Sequence, residues 1–271
     1  MKRRLQGSPV LLIVGLLVLL CIPGFWWQSH QAASVRAHYQ SALAPVFLVP
    51  GSSATQNRFN ALVKELNHET PKPHSLIRVE VLTNGHLHYS GHLRHGDNCP
   101  FIVVGFENHH DGYANILKQA QWFTIAFKEL QKTYQFNHFS AMGHSNGGLI
   151  LTLFMEQDLA ATKAKADRLM TIASPFNLEE SDAEVDTPLF KQLVAKRDQL
   201  PKRLLVYSIA GSQTFAGDGI VPFDSVNRGK FIFQGRVKNF TQITVTGANA
   251  NHADLPENKQ IVGLIRQDLL T

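Results

Sequence analysis

Apolar residues in this chain of 271 residues alternate between short solid runs and longer stretches with helical spacing. Val46-Phe47-Leu48-Val49 is a solid run stopped by Pro50-Gly51, the pattern of a strand covered on both faces. From Asn57 to Asn67, Phe59, Leu62, Val63 and Leu66 recur at the interval that lines one face of a helix. Leu76 to Leu82 alternates as a strand, Asn84-Gly85 supplies a hairpin turn, and His86 to Ser90 returns. Phe101 to Phe106 is a further strand. Tyr113 to Tyr134 is a long helix with Ile116, Ala120, Phe123, Phe127 and Leu130 on one side. The same reading gives strands at His138–Met142, Leu169–Ala173, Leu204–Ile209 and Phe240–Val245, and helices at Gly147–Glu156 and Glu257–Leu270. Strands alternating with helices predict an α/β fold with a mostly parallel central sheet flanked by helices. Residues 175–201 interrupt the alternation with a run of acidic residues, and are expected to form a small cap insertion over one face of the sheet.

The first residues follow another pattern. Lys2, Arg3 and Arg4 precede the uncharged run from Val10 to Ile22, which Pro23-Gly24 and Phe25-Trp26-Trp27 close. A membrane-spanning helix needs roughly 20 apolar residues, and tryptophans collect at the headgroup level. A cleaved signal peptide needs a small residue three positions before the cut. Gln31 and His30 stand there for cuts counted from Ala33 and Ala32. Residues 1–28 are therefore read as a signal-anchor, with a cleaved signal peptide as the alternative. Residues 29–44 are read as a polar stalk and 45–271 as the globular domain. The basic cluster stays in the cytoplasm, which sends the domain outside the cell.

Composition narrows the classes. With 44% hydrophobic and 17% charged residues, a disordered chain is excluded. Cys21 and Cys99, the two cysteines, cannot build a disulfide framework or a four-cysteine zinc site. A net charge of +5 is spread too thinly to indicate nucleic-acid binding. Of thirteen histidines, His86, His88, His92 and His95 cluster, but no carboxylate or cysteine completes a metal-ligand pattern. Neither a phosphate loop nor a dinucleotide fingerprint is present, so no cofactor is expected.

The chemistry points to Gly143-His144-Ser145-Asn146-Gly147, a G-x-S-x-G motif between a strand and a helix. That context is the nucleophile elbow, where a tight turn lifts a serine hydroxyl above the sheet. A serine needs a base, and in this arrangement the chain order is serine, acid, histidine. Asp218, between glycines after the strand LLVYSIAG, fits the acid. His252, after the last strand and before the closing helix, fits the base. Asp224 and Asp254 are rival acids, less well placed in chain order. The Asn146 backbone amide and that of Ser52, in the loop after the first strand, are the expected oxyanion donors.

VPGSSATQNRF, GHSNGG, GDGIVP and NHADLPEN, in this order, resemble the α/β-hydrolase superfamily. More narrowly they resemble the surface hydrolases of Gram-positive bacteria grouped under domain of unknown function 915, over about residues 44–271. The resemblance implies a Ser-Asp-His triad, carried here by Ser145, Asp218 and His252. Two positions depart from the family's pattern: Pro50-Gly51 replaces His-Gly, and Asn146 replaces the methionine of GHSMGG. The expected activity is hydrolysis of a small-molecule or lipid-like acyl ester. A peptidase or amidase using the same triad, and a non-catalytic surface binding module, are the alternatives.

Overall fold

In the computed structural model, residues 22–23, 41–68, 70–180, 182, 184–214 and 216–270 are described. Ala42–Thr271 forms one compact unit. The apolar run Val46–Val49 becomes β1, and its four residues are all buried. It is followed by α1 (Asn60–His68), β2 (Leu76–Val81), β3 (Leu87–Ser90), β4 (Phe101–Phe106) and α2 (Tyr113–Tyr134). Next come β5 (His138–His144), α3 (Asn146–Gln157), α4 (Leu159–Thr162), β6 (Lys165–Ile172), β7 (Phe176–Glu179) and α5 (Pro188–Lys196). The chain ends with β8 (Leu205–Ser212), α6 (Phe223–Asn227), α7 (Gly229–Phe233), β9 (Asn239–Thr246) and α8 (Lys259–Asp268).

The eight-stranded sheet has the order β3-β2-β4-β1-β5-β6-β8-β9. Its pairs are parallel except β2 with β3, the hairpin that Asn84-Gly85 turns. A parallel sheet must be covered on both sides, because each crossover helix lands on a face. One side is packed by α2, α3 and α5, around Phe47, Phe123, Phe127, Phe139 and Phe154. The other is packed by α1 and α8, around Leu48, Val103, Met142, Ile209 and Ile261. β1 serves both sides, since successive side chains of a strand point to opposite faces. The Phe47 ring lies 5.2 Å from that of Phe127, and Leu48 points the other way.

Several elements run past the expected ends. β6 begins at Lys165, where the first residues are exposed or half-buried and so lack the apolar run that marks Leu169–Ile172. The closing helix, Lys259–Asp268, is instead shorter than expected at both ends, and a separate 3₁₀ turn over Leu255–Glu257, which Pro256 favours, precedes it. Residues 175–201 contain β7, which lies outside the main sheet, and α5. Buried Asn177 ties this segment together: its amide donates to the Val185 carbonyl at 2.8 Å and its oxygen accepts from the Thr187 amide at 2.9 Å. Among the described residues no helix is long and apolar enough to cross a membrane. The expected anchor, Val10 to Trp27, lies outside the described residues apart from Ile22 and Pro23, and the stalk lies outside them up to residue 40.

Candidate active site

Because β1, β5, β6, β8 and β9 run the same way, their carboxyl ends open on one edge of the sheet. The loops carrying Ser52, Ser145, Asp218 and His252 all leave from that edge. Ser145 sits between the end of β5 and the start of α3, with φ 55° and ψ −128°. That is a conformation L-residues rarely adopt, and it is held because the neighbouring structure over-determines it. The Ser145 amide donates to the Ile172 carbonyl on β6 at 2.8 Å, and its own carbonyl accepts from the Gly148 amide at 3.1 Å. The turn is so tight that a Cβ at Gly147 would stand 2.0 Å from the Val49 carbonyl oxygen. At Gly51 a Cβ would stand 2.6 Å from Cβ of Ser145, so glycine there lets the loop after β1 close onto the serine.

Asp218 and His252 meet across the loops after β8 and β9. His252 Nδ1 lies 2.7 Å from Asp218 Oδ2, and the His252 amide donates to the Asp218 carbonyl at 3.0 Å. The other carboxylate oxygen, Oδ1, accepts from the amides of Ile220 at 3.0 Å and Val221 at 2.8 Å. The rival acids are elsewhere: Asp224 is exposed, and Asp254 is exposed and bonded to Asn251.

Ser145 and His252 line one cavity of about 500 Å³, together with Gly51, Ser52, Asn146 and Leu178. That volume lies in the range of small-molecule sites. Asn146 is the first residue of α3, where a helix leaves its amides without an internal acceptor. Ser52 lines the same cavity, whereas the next amide, that of Ser53, is spent on the His109 carbonyl at 2.8 Å.

The match of the chain to known proteins rests on this frame. Residues 33–271 match the family model described as alpha/beta hydrolase of unknown function (DUF915). The chain belongs to this family. A "putative cell surface hydrolase" from Lactobacillus plantarum WCFS1, known from a crystal structure, is 59% identical with a TM-score of 0.78; the match covers 84% of this chain and 92% of that one. The product of the gene lin2722 from Listeria innocua is 25% identical with a TM-score of 0.76, over 84% of this chain and 95% of that one. No curated protein matches the chain.

The side chain of Asn146 has a structural consequence of its own. Its side-chain amide donates to Asp111 Oδ1 at 2.7 Å, which ties the elbow to the loop between β4 and α2. A methionine cannot make that bond. Two more residues of the site lie inside the quoted motifs without a role assigned from the sequence. The ring of His144, beside the serine, donates from Nε2 to the His252 carbonyl at 3.0 Å and lies 4.7 Å from the His252 ring. Burial, the neighbouring His252 and the Arg58 charge hold the His144 pKa well below its ordinary value, so His144 is neutral and fixed as a donor. Arg58 grips the segment that follows His252, donating to Glu257 at 2.6 and 3.2 Å and to the Ala253 carbonyl. The sequence signal for these contacts is weak, because each joins residues far apart in the chain. Among the described residues no group of three or more His, Cys, Asp or Glu could hold a metal ion.

Proposed function

We propose that the protein is an extracytoplasmic serine hydrolase, held at the membrane by its N-terminal segment, that cleaves acyl esters through Ser145, His252 and Asp218. The observation that carries this reading is a serine at a strained strand-to-helix turn sharing one cavity with a histidine whose far side is bonded to a buried aspartate. With Nδ1 held by Asp218, His252 is left with Nε2 to take the Ser145 proton. Ser145 Oγ then attacks the ester carbonyl, and the backbone amides of Asn146 and Ser52 receive the developing negative charge. His252 returns the proton to the leaving alcohol. Water, activated by the same imidazole, releases the acid and restores the serine.

A cavity of about 500 Å³ has room for a small acyl group. The placement outside the cell is supported by Lys2-Arg3-Arg4 ahead of the apolar run, and by the surface location in the name of the Lactobacillus plantarum relative. The test is hydrolysis of p-nitrophenyl acyl esters beside the matching p-nitroanilides. Wild type should turn over the esters and leave the anilides nearly untouched. Ser145→Ala should lose on the order of 10⁵-fold or more, as removal of a triad nucleophile does elsewhere. Full ester turnover by Ser145→Ala would refute the reading.

A further inference from the structure

At the opposite edge of the sheet from Ser145 lies a second groove, of about 540 Å³, between the amino ends of β5, β6 and β8. Its walls carry Lys165, Arg168, Lys202, Arg203 and Lys238. The one carboxylate among its lining residues, Asp167, is bonded to His138 at 3.1 Å. Met155, Leu159, Ala166 and Leu205 give the same groove an apolar floor. Four of these cations, Lys165, Lys202, Arg203 and Lys238, around an apolar floor suit an anion that carries a hydrocarbon part.

The strand register shows what lies at this edge. Val46, Ser140, Arg168, Leu205 and Asn239 pair in one row across β1, β5, β6, β8 and β9. The chain therefore enters the domain, through Ala42–Pro45, just outside the row that the groove brackets; the Pro45 carbonyl accepts from the Ser140 amide at 3.1 Å. Only β5 separates β1 from β6, so the point of entry is about 10 Å from β6 in the middle of the groove. The stretch that precedes this entry contains Val10 to Trp27, the apolar run expected to sit in a bilayer. From His138 to Ser145 along β5 is roughly 20 Å, so a ligand in the groove leaves the catalytic cavity open.

We infer that this groove binds the headgroup of an anionic phospholipid, so that the edge of the sheet where the chain enters rests on the membrane and the catalytic edge faces away from it. The cations supply the attraction to the phosphate, which falls off within a Debye length and therefore acts only at contact distance. The apolar floor takes the first carbons of an acyl chain. This assignment rests on the anchoring reading but not on the catalytic one, and the two fail separately.

The experiment uses the full chain in phosphatidylcholine nanodiscs that contain a trace of photoactivatable phosphatidylglycerol or, in a parallel sample, photoactivatable phosphatidylcholine. Cross-linked peptides are mapped by mass spectrometry. The phosphatidylglycerol probe should label peptides from residues 155–168 and 199–205, and the phosphatidylcholine probe should not. Lys202→Glu with Lys238→Glu should lower that labelling at least about tenfold, since each reverses a charge near the surface. The circular dichroism spectrum and melting midpoint should stay unchanged in this variant, which reports that the domain is folded. If they do not, Lys202→Gln with Lys238→Gln should weaken labelling with the melting midpoint intact. Equal labelling by both probes, no label in the groove, or labelling that ignores these substitutions would each overturn the site. Displacement by water-soluble glycerophosphoglycerol at lower concentration than by a short-chain phosphatidylglycerol would overturn the lipid source and leave a soluble phosphodiester as the ligand.

Discussion

Asp218 and Glu156 are both carboxyl side chains taken out of water, at 2% and 5% exposure, and the protein treats them in opposite ways. Asp218 accepts from two backbone amides and the His252 ring, so each of its oxygens has a partner. Glu156, in the last turn of α3, has no hydrogen-bond partner for either oxygen among the described residues. Burial pushes its pKa up to about 9, and the Lys196 charge offsets only part of that. At neutral pH it is therefore a protonated, uncharged acid. The contrast shows where the fold has invested. Hydrogen bonds are laid out in advance around the aspartate that holds the His252 ring, while the glutamate is tolerated by giving up its charge.

Substitutions at the two carboxyls should separate their roles. Asp218→Asn should cut ester turnover by about 10⁴-fold, because an amide presents the wrong partner to His252 and leaves the ring poorly oriented. The kcat of the purified variant checks this. The same loss in Asp224→Asn or Asp254→Asn, with Asp218→Asn active, would assign the acid elsewhere.

A smaller effect is expected one step behind the base. His144→Phe removes the donor that holds the His252 carbonyl and should lower kcat by about 10–100-fold with KM little changed, the size expected from a slight misplacement of a catalytic group. His144→Gln, which keeps a donor, should recover part of it. Equal losses in both variants would mean that the ring contact, not the hydrogen bond, does the positioning.

Glu156→Gln should leave kcat unchanged and alter stability alone. The folded chain keeps a proton up to about pH 9, whereas the unfolded chain releases it near the ordinary value of 4.5. The unfolded state thus binds fewer protons between these limits, and stability falls as pH rises through this window. The substitution should flatten that slope and raise Tm at pH 8 by about 4–8 °C, for a gain of roughly 2 kcal/mol. Thermal melts at pH 5 and pH 8 read it directly; parallel melting curves for both proteins would contradict it.

Much of the fold was readable because burial on both faces of a parallel sheet writes itself as solid apolar runs. β1, β4 and α2 have the bounds that the pattern gives. The two short helices α6 and α7 were not readable, since five residues each make little more than one turn and cannot show a repeat. At the site, chain order and the strand-to-loop position singled out Ser145, Asp218 and His252; the structure bonds His252 to Asp218 and puts Ser145 and His252 on one cavity. Asp111, His144 and Arg58 went unread because their contacts span 35, 108 and 195 residues and depend on how loops from different strands meet. Nothing in the local sequence of Glu156 marks it as buried on all sides. Its helix is apolar nearly throughout, and a glutamate near a helix end reads as a solvated residue.

The central claim is that Ser145 is an activated nucleophile. The direct measurement is reaction of the native full chain with a fluorophosphonate, followed by digestion and mapping of the adduct. One adduct per chain is predicted, on the peptide that contains Ser145, and its formation should be strongly slowed in Asp218→Asn. Failure of the native protein to react, or an adduct mapped to another residue, would contradict the account.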